Sequence, residues 1–290
     1  MAKGQDIRRR IKSIKSMLQV TKAMELISSI KMRKAQIAAL NSKAYAFEAW
    51  RAIRRLATPE QIKANPLLTK KEGGKMLALA ISSDRGLAGS YNSDILKAVL
   101  KFIEENGLEN IEFITMGSKI RNFLRKVGAN IIADFPLGEH VRFTMSSPIA
   151  LIALEGITQG KYSKFISIHT HFESAAKKDA TKLQILPIDI ERIAQETQES
   201  SISAEVEFKF EPSAQEVIES VINQTVRAIC YQVILESEAA EHASRMIAMK
   251  NASDAAGDLK EDFEFTFNQL RQQSITAELA EISAGSIAQG

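Results

Sequence analysis

Cysteine, proline and glycine are scarce or confined in this chain, and each shortage excludes something. A single cysteine, Cys230, among 290 residues cannot close an internal disulfide or build a cysteine-based metal cage. All six prolines lie between Pro59 and Pro212, and ten of the fourteen glycines lie between Gly73 and Gly160. Both ends therefore lack the residues that interrupt helices, where proline costs about 3 kcal/mol and glycine about 1. The longest apolar runs, such as Met76–Ile81, fall far short of the roughly eighteen residues that a membrane-spanning helix needs. No charged-then-apolar signal segment opens the sequence, so the expectation is a soluble protein on the reducing, cytoplasmic side.

Net charge is also nearly lacking, at +3, but the balance is uneven along the chain. Residues 1–57 carry 14 basic and 3 acidic groups, a net of +11. Residues 58–211 sum to −1, and residues 212–290, with 5 basic and 12 acidic groups, to −7. What is present at the two ends is helix-forming sequence. From Gly4 an Ala-, Lys- and Arg-rich run reaches Ala57, where Thr58-Pro59 stops it. Ile7, Ile11, Ile14 and Leu18 step by four, three and four, the spacing of a coiled-coil seam. Met24, Ile27 and Ile30 then step by three, so the heptad is expected to slide.

The last third mirrors the first. Pro212 suits a first helical turn, Ile218, Ile222, Thr225 and Ile229 repeat the four-three-four step, and from Ala239 the stripe turns to alanine and methionine. At 1.5 Å per residue the first helix is roughly 80 Å long and the last roughly 110 Å, too long for a compact globule of this size. The two are expected to pair antiparallel, basic beside acidic. The longer would overhang by about twenty residues, roughly 30 Å, over Asn268–Gly290.

The middle alternates short apolar runs with helical patterns. Strands are expected at Met76–Ile81, Ile111–Met116, Ile131–Ala133, Phe165–His171 and Lys182–Ile188, with helices between them. The fold class is therefore a long antiparallel two-helix coiled coil formed by both termini, with an inserted Rossmann-like α/β domain whose sheet is mostly parallel. The divisions are 1–57 for the first helix, 58–74 for a linker, 75–190 for the α/β domain, 191–211 for a connection and 212–290 for the last helix.

Catalytic chemistry is hard to assemble from these residues. The turn Ser82–Ser90 sits where such folds bind phosphate, yet it lacks both G-x-G-x-x-G and G-x-x-x-x-G-K-[ST], which favours a tight structural turn with Arg85 as an ion-pair or partner contact. His169 and His171 share one side of a strand without a third ligand at suitable spacing. Cys230, beside Ile229 on the apolar stripe, reads as a small buried hydrophobe. No cofactor and no metal are expected. The basic helix itself is either a solvated face or a partner-facing one. A coiled-coil scaffold or a nucleic-acid-binding adaptor is the competing class of function.

Three stretches carry a resemblance. They are Ile7-Arg8-Arg9-Arg10-Ile11-Lys12-Ser13-Ile14-Lys15 with Val20–Leu26 and Lys31–Gln36; the turn Ser83-Asp84-Arg85-Gly86-Leu87-Ala88-Gly89-Ser90-Tyr91-Asn92; and Ser244–Ala255 with Asn268–Ile282. In order and over the whole chain, they resemble the gamma subunit of the rotary F-type ATP synthase. Ala88-Gly89-Ser90 stands where that family usually has Cys-Gly-Gly, and the paired cysteines of the chloroplast form are absent.

The resemblance implies a non-catalytic rotor shaft that couples proton or sodium flow to conformational change at beta-subunit sites. It implies alpha and beta subunits, an epsilon subunit and a c-subunit ring as partners. No nucleic acid is expected, and the place implied is peripheral, on the cytoplasmic face of a bacterial plasma membrane. Arg271, Gln272, Thr276 and Glu278 match the family's polar contact region. Ile275, Leu279, Ile282 and Ile287 would form an apolar tip, Met24 would face a beta subunit, and Arg8, Arg9, Lys12 and Lys22 would meet acidic beta-subunit loops.

Overall fold

A computed structural model describes residues 2–56, 65–69, 73–138, 141–189 and 213–288, so most of the expected linker and the whole expected connection at 191–211 lie outside the described residues. In chain order the elements are α1 (Ala2–Leu56), β1 (Lys75–Ile81), α2 (Tyr91–Asn106), β2 (Ile111–Met116), α3 (Ser118–Lys126), β3 (Asn130–Phe135), α4 (Ser146–Thr158), β4 (Tyr162–Phe172), β5 (Lys178–Leu186) and α5 (Ala214–Ala288). The 55-residue α1 and the 75-residue α5 are the long helices that proline-free ends allow. Two compact units result, one holding the chain up to Ser29 and from Arg245 onward, the other Ile30–Ser244.

The unit Ile30–Ser244 is built on a five-stranded sheet in the order β3-β2-β1-β4-β5. The first four strands are parallel, joined through helices, whereas β5 runs antiparallel to β4. The reason lies in the connection. Only five residues separate β4 from β5, closed by Glu173 and Ser174 N–H groups donating to the Lys177 carbonyl at 3.2 and 3.0 Å, too few for a crossover.

Alternation along β1 divides the core between two faces. Leu77, Leu79 and Ile81 join Ile114, Met116 and Phe165 against α4 and the first part of α5. Ala78 and Ala80 lie with Phe113 and Ile168 under Ile95, Val99 and Phe102 of α2 and Ile120 and Leu124 of α3. The stripe Ile218, Ile222 and Ile229, which carries coiled-coil spacing in the sequence, thus covers a sheet together with Val226, Cys230, Val233 and Ile234. Leu67 and Leu68, inside the expected linker, are buried in the same core, and Ile188 N–H donates to the Leu67 carbonyl at 2.9 Å.

In the other unit α1 and α5 pair antiparallel. The Arg10 guanidinium lies 6.0 Å from the centre of the Phe263 ring, Lys15 pairs with Glu264 at 2.9 Å, and Ser253 Oγ donates to Thr21 Oγ1 at 2.8 Å. Ile11, Thr21 and Ser28 are buried, with Ile7, Ile14 and Leu18 half-buried. The heptad expected to slide at Met24 instead persists through Ile14, Thr21 and Ser28. Ile27 is 55% exposed and Ile30 70%. Residues buried in this seam include Ile11, Thr21 and Ser28 of α1 and Met249, Ser253 and Ala256 of α5.

Candidate partner-contact surface

In a doubly wound sheet a ligand enters where strand order reverses, beyond the carboxyl ends of the strands. Here that point lies between β1 and β4. The chain's own helix occupies it: Ala240 of α5 packs with Ala88 and Tyr91 after β1 and with Phe172 at the end of β4. One turn earlier, Glu236 of α5 accepts a hydrogen bond from His171 Nδ1 at 2.6 Å and lies 3.8 Å from His169 Nε2, while Gln232 Nε2 donates to its other oxygen at 2.8 Å. Burial pushes the Glu236 carboxyl upward, but the donors His169, Gln232 and His171 outweigh it and bring it to about 2. The two histidines expected to share one side of a strand therefore serve a carboxylate. Among the described residues no cluster of His, Cys, Asp or Glu could hold a metal ion. Cys230 is fully buried, and burial drives its thiol upward, away from the reactive thiolate.

The turn after β1 is held by its own side chains. Ser83 Oγ donates to the Arg85 carbonyl at 2.6 Å, and Asn92 Oδ1 accepts from Ser83 N–H at 3.1 Å. Asp84 Oδ1 takes the Ser118 N–H at 2.7 Å and Ser82 Oγ the Ile120 N–H at 2.9 Å, so loop oxygens fill the donor positions at the start of α3. Gly117 makes this close approach possible: at φ +97°, a Cβ there would stand 2.2 Å from the Ser82 carbonyl oxygen. The turn's outer residues are bare. Arg85 is exposed, and beside it Leu87 is 63% exposed at φ +60°.

The remaining expected contact residues lie on the long helices. Arg8, Arg9, Lys12 and Lys22 are exposed, Lys22 pairing with Glu25 at 3.0 Å, and Met24 is half-buried. In α5 every residue from Arg271 to Ala280 is exposed, which includes Arg271, Gln272, Ile275, Thr276, Glu278 and Leu279; Ile282 is 69% exposed. Helical periodicity aligns Arg271, Ile275, Glu278 and Ile282 on one side and Gln272, Thr276 and Leu279 beside them. The Ile287 side chain lies outside the described residues. Sequence reasoning missed the aliphatic residues Val20, Leu26, Ile37 and Leu40 of α1, which are 54–62% exposed. Their signal was a surplus of apolar residues over what one seam can bury.

A family model described as "ATP synthase" matches residues 3–288. An ATP synthase gamma chain of Pelotomaculum thermopropionicum is 35% identical over 284 residues, covering 98% of each chain. One from Heliobacterium modesticaldum is 34% identical over 287 residues at the same coverage. The chain belongs to the ATP synthase gamma chain family. Solved structures agree on the fold. A chain of the Euglena gracilis mitochondrial ATP synthase superposes with a TM-score of 0.65 at 17% identity, covering 99% of this chain and 94% of that one. One from the central stalk and c-ring of the Tetrahymena thermophila mitochondrial enzyme gives 0.63 at 22%, covering 81% and 99%. A gamma chain is a non-catalytic subunit of the ATP synthase. Among the described residues no helix is long and apolar enough to cross a membrane.

Proposed function

We propose that the chain is the central rotor shaft of an F-type ATP synthase, turning inside a ring of alpha and beta subunits and carrying ion-driven rotation to the beta-subunit catalytic sites. The observation that supports this most is the run Arg271–Ala280: ten consecutive exposed helical residues that include Ile275 and Leu279. Apolar side chains left bare at the end of a helix need a surrounding partner, and an enclosing sleeve supplies one.

In this reading Arg271, Gln272, Thr276 and Glu278 are polar contacts to alpha- and beta-subunit loops, and Ile275 and Leu279 belong to an apolar bearing. Met24 faces a beta subunit, and Arg8, Arg9, Lys12 and Lys22 meet acidic loops as the shaft turns. Arg85, on the bare turn after β1, is a further contact. The epsilon subunit and the c-ring meet the α/β domain, peripheral to the cytoplasmic face of a bacterial plasma membrane. The shaft acts by binding its three surrounding sites unequally, so that each rotational position favours a different site conformation.

The adaptor alternative has no support from the relatives, and Lys15 and Lys22 of the basic helix are engaged with Glu264 and Glu25. Reconstitution tests the proposal. Purified alpha and beta subunits should form a stable ATPase complex only when this chain is added; assembly indifferent to it refutes the shaft. Met24→Lys should leave assembly intact and lower proton pumping per ATP hydrolysed in membrane vesicles. An unchanged ratio refutes the placement of Met24.

A further inference from the structure

The first turns of α5 and the last turns of α4 meet the segment Asn65–Leu67 in a cleft of about 490 Å³. That volume is in the range of small-molecule sites. Its floor is apolar, with Leu67, Leu154 and Ile218 buried there, and Leu151 stands in its wall, 49% exposed. α4 is apolar on nearly every side, and a helix of that kind is ordinarily covered. Glu155 is its one charged residue. Leu151, Glu155 and Thr158 follow one another at steps of four and three, so they share the side of α4 that faces the cleft.

The charge of the cleft has one sign. Glu155 lies in the last turn of α4, where the helix carbonyls already carry negative partial charge and no basic residue offsets it. Glu219 enters from α5 and accepts a hydrogen bond from Gln215 Nε2 at 3.1 Å. Among the described residues neither carboxylate has a cationic partner, and none that lines the cleft is basic. We propose that this cleft is a binding site for a small organic cation, an ammonium or guanidinium on an apolar body. The body lies against Leu151, Leu154 and Ile218, and the head is held by Glu155 and Glu219. The amide oxygens of Gln159 and Asn223, also in the lining, can accept from the head's remaining N–H donors. The site stands independently of the rotor-shaft reading. A bound cation ties α4 to the start of α5 and so stabilises the folded domain by mass action.

Molecules with one body and different heads test it: 4-phenylbutylamine, 4-phenylbutanol and 4-phenylbutanoate, titrated into the full chain near neutral pH and followed by methyl NMR and calorimetry. The amine should saturate with a Kd on the order of 0.1 mM, with the alcohol about tenfold weaker and the carboxylate weaker still. Shifts should concentrate on the methyl groups of Leu151, Leu154 and Ile218 and spare Val99 and Leu124 on the opposite face of the sheet. Both carboxylates are exposed, so the double variant Glu155→Gln with Glu219→Gln keeps the fold, and it should bring the amine down to the level of the alcohol. Leu151→Gln, at a half-exposed position, should weaken amine and alcohol alike by about fivefold. Equal affinity for the three heads, or an amine affinity that the double variant leaves unchanged, overturns the assignment of a cation. Failure of the amine to saturate by about 10 mM, or saturation with shifts centred elsewhere, overturns the site.

Discussion

Thr21 and Ser253 form a hydroxyl pair in the seam between α1 and α5, and a double-mutant cycle on them measures how that seam is held. Ser253 Oγ donates to Thr21 Oγ1 at 2.8 Å, while the Thr21 hydroxyl donates back to its own helix at the Met17 and Leu18 carbonyls, each at 3.1 Å. Both residues are buried, at 8% and 5% exposure. The two single substitutions are therefore unequal. Thr21→Val keeps the shape but orphans the Ser253 hydroxyl, which costs about 1–2 kcal/mol even if that hydroxyl turns to a carbonyl of its own helix. Ser253→Ala leaves the Thr21 donor satisfied and costs about 0.5–1 kcal/mol. The double variant replaces both polar groups by apolar ones and should lie within about 0.5 kcal/mol of the wild type, a coupling of roughly 1–3 kcal/mol. Hydrogen exchange of the amides flanking the two positions is the appropriate assay, because it reads this unit without requiring the whole chain to unfold in one step. Additive effects within about 0.5 kcal/mol, or equal single costs, would refute the claim that a buried hydroxyl pair holds this part of the seam.

Two further outcomes follow from single sites. Gly257 is a glycine inside α5 with open space where a Cβ would stand, so Gly257→Ala should stabilise the helix by about 0.5–1 kcal/mol, seen as raised protection of the surrounding amides; a loss would mean that the position needs glycine's freedom. Glu112 receives Tyr162 Oη at 2.5 Å, Lys161 at 2.8 Å and Lys75 at 3.2 Å across the amino ends of β4, β1 and β2; burial pushes its carboxyl up, but these donors bring it to about 2. A depressed carboxyl adds stability that is present above its unfolded value near 4.5 and lost as pH falls toward 2, so Glu112→Gln should remove part of the acid-limb slope in denaturation curves. An unaltered acid limb would count against that pairing.

The legible and illegible parts of this chain divide by range of interaction. The five strands and their intervening helices were visible because each carries its own punctuation. Gly73 and Gly74 precede β1, Gly107 follows α2, Gly117 opens α3 and Pro148 lies in the first turn of α4. The bare tip was visible because it followed from a difference in length between two uninterrupted helices. The polar contact at Glu236 was not. His169 and His171 are 65 or more residues from their carboxylate, and nothing in their spacing names it.

Local sequence decided which segments are helix and strand, because proline, glycine and apolar period act over a few residues. It also decided the charge contrast of the long helices, +11 at one end and −7 at the other, whose sum conceals both. Only the tertiary structure decided what each apolar stripe is for. Ile218, Ile222 and Ile229 have the spacing of a coiled coil, yet a β-sheet needed covering and they cover it. Ile27 and Ile30 have helical spacing and are exposed, while Thr21 and Ser28 of the same helix and Ser253 and Ala256 of α5 are buried. Periodicity specifies that a face is apolar; which surface meets it depends on which partner the rest of the chain brings into contact.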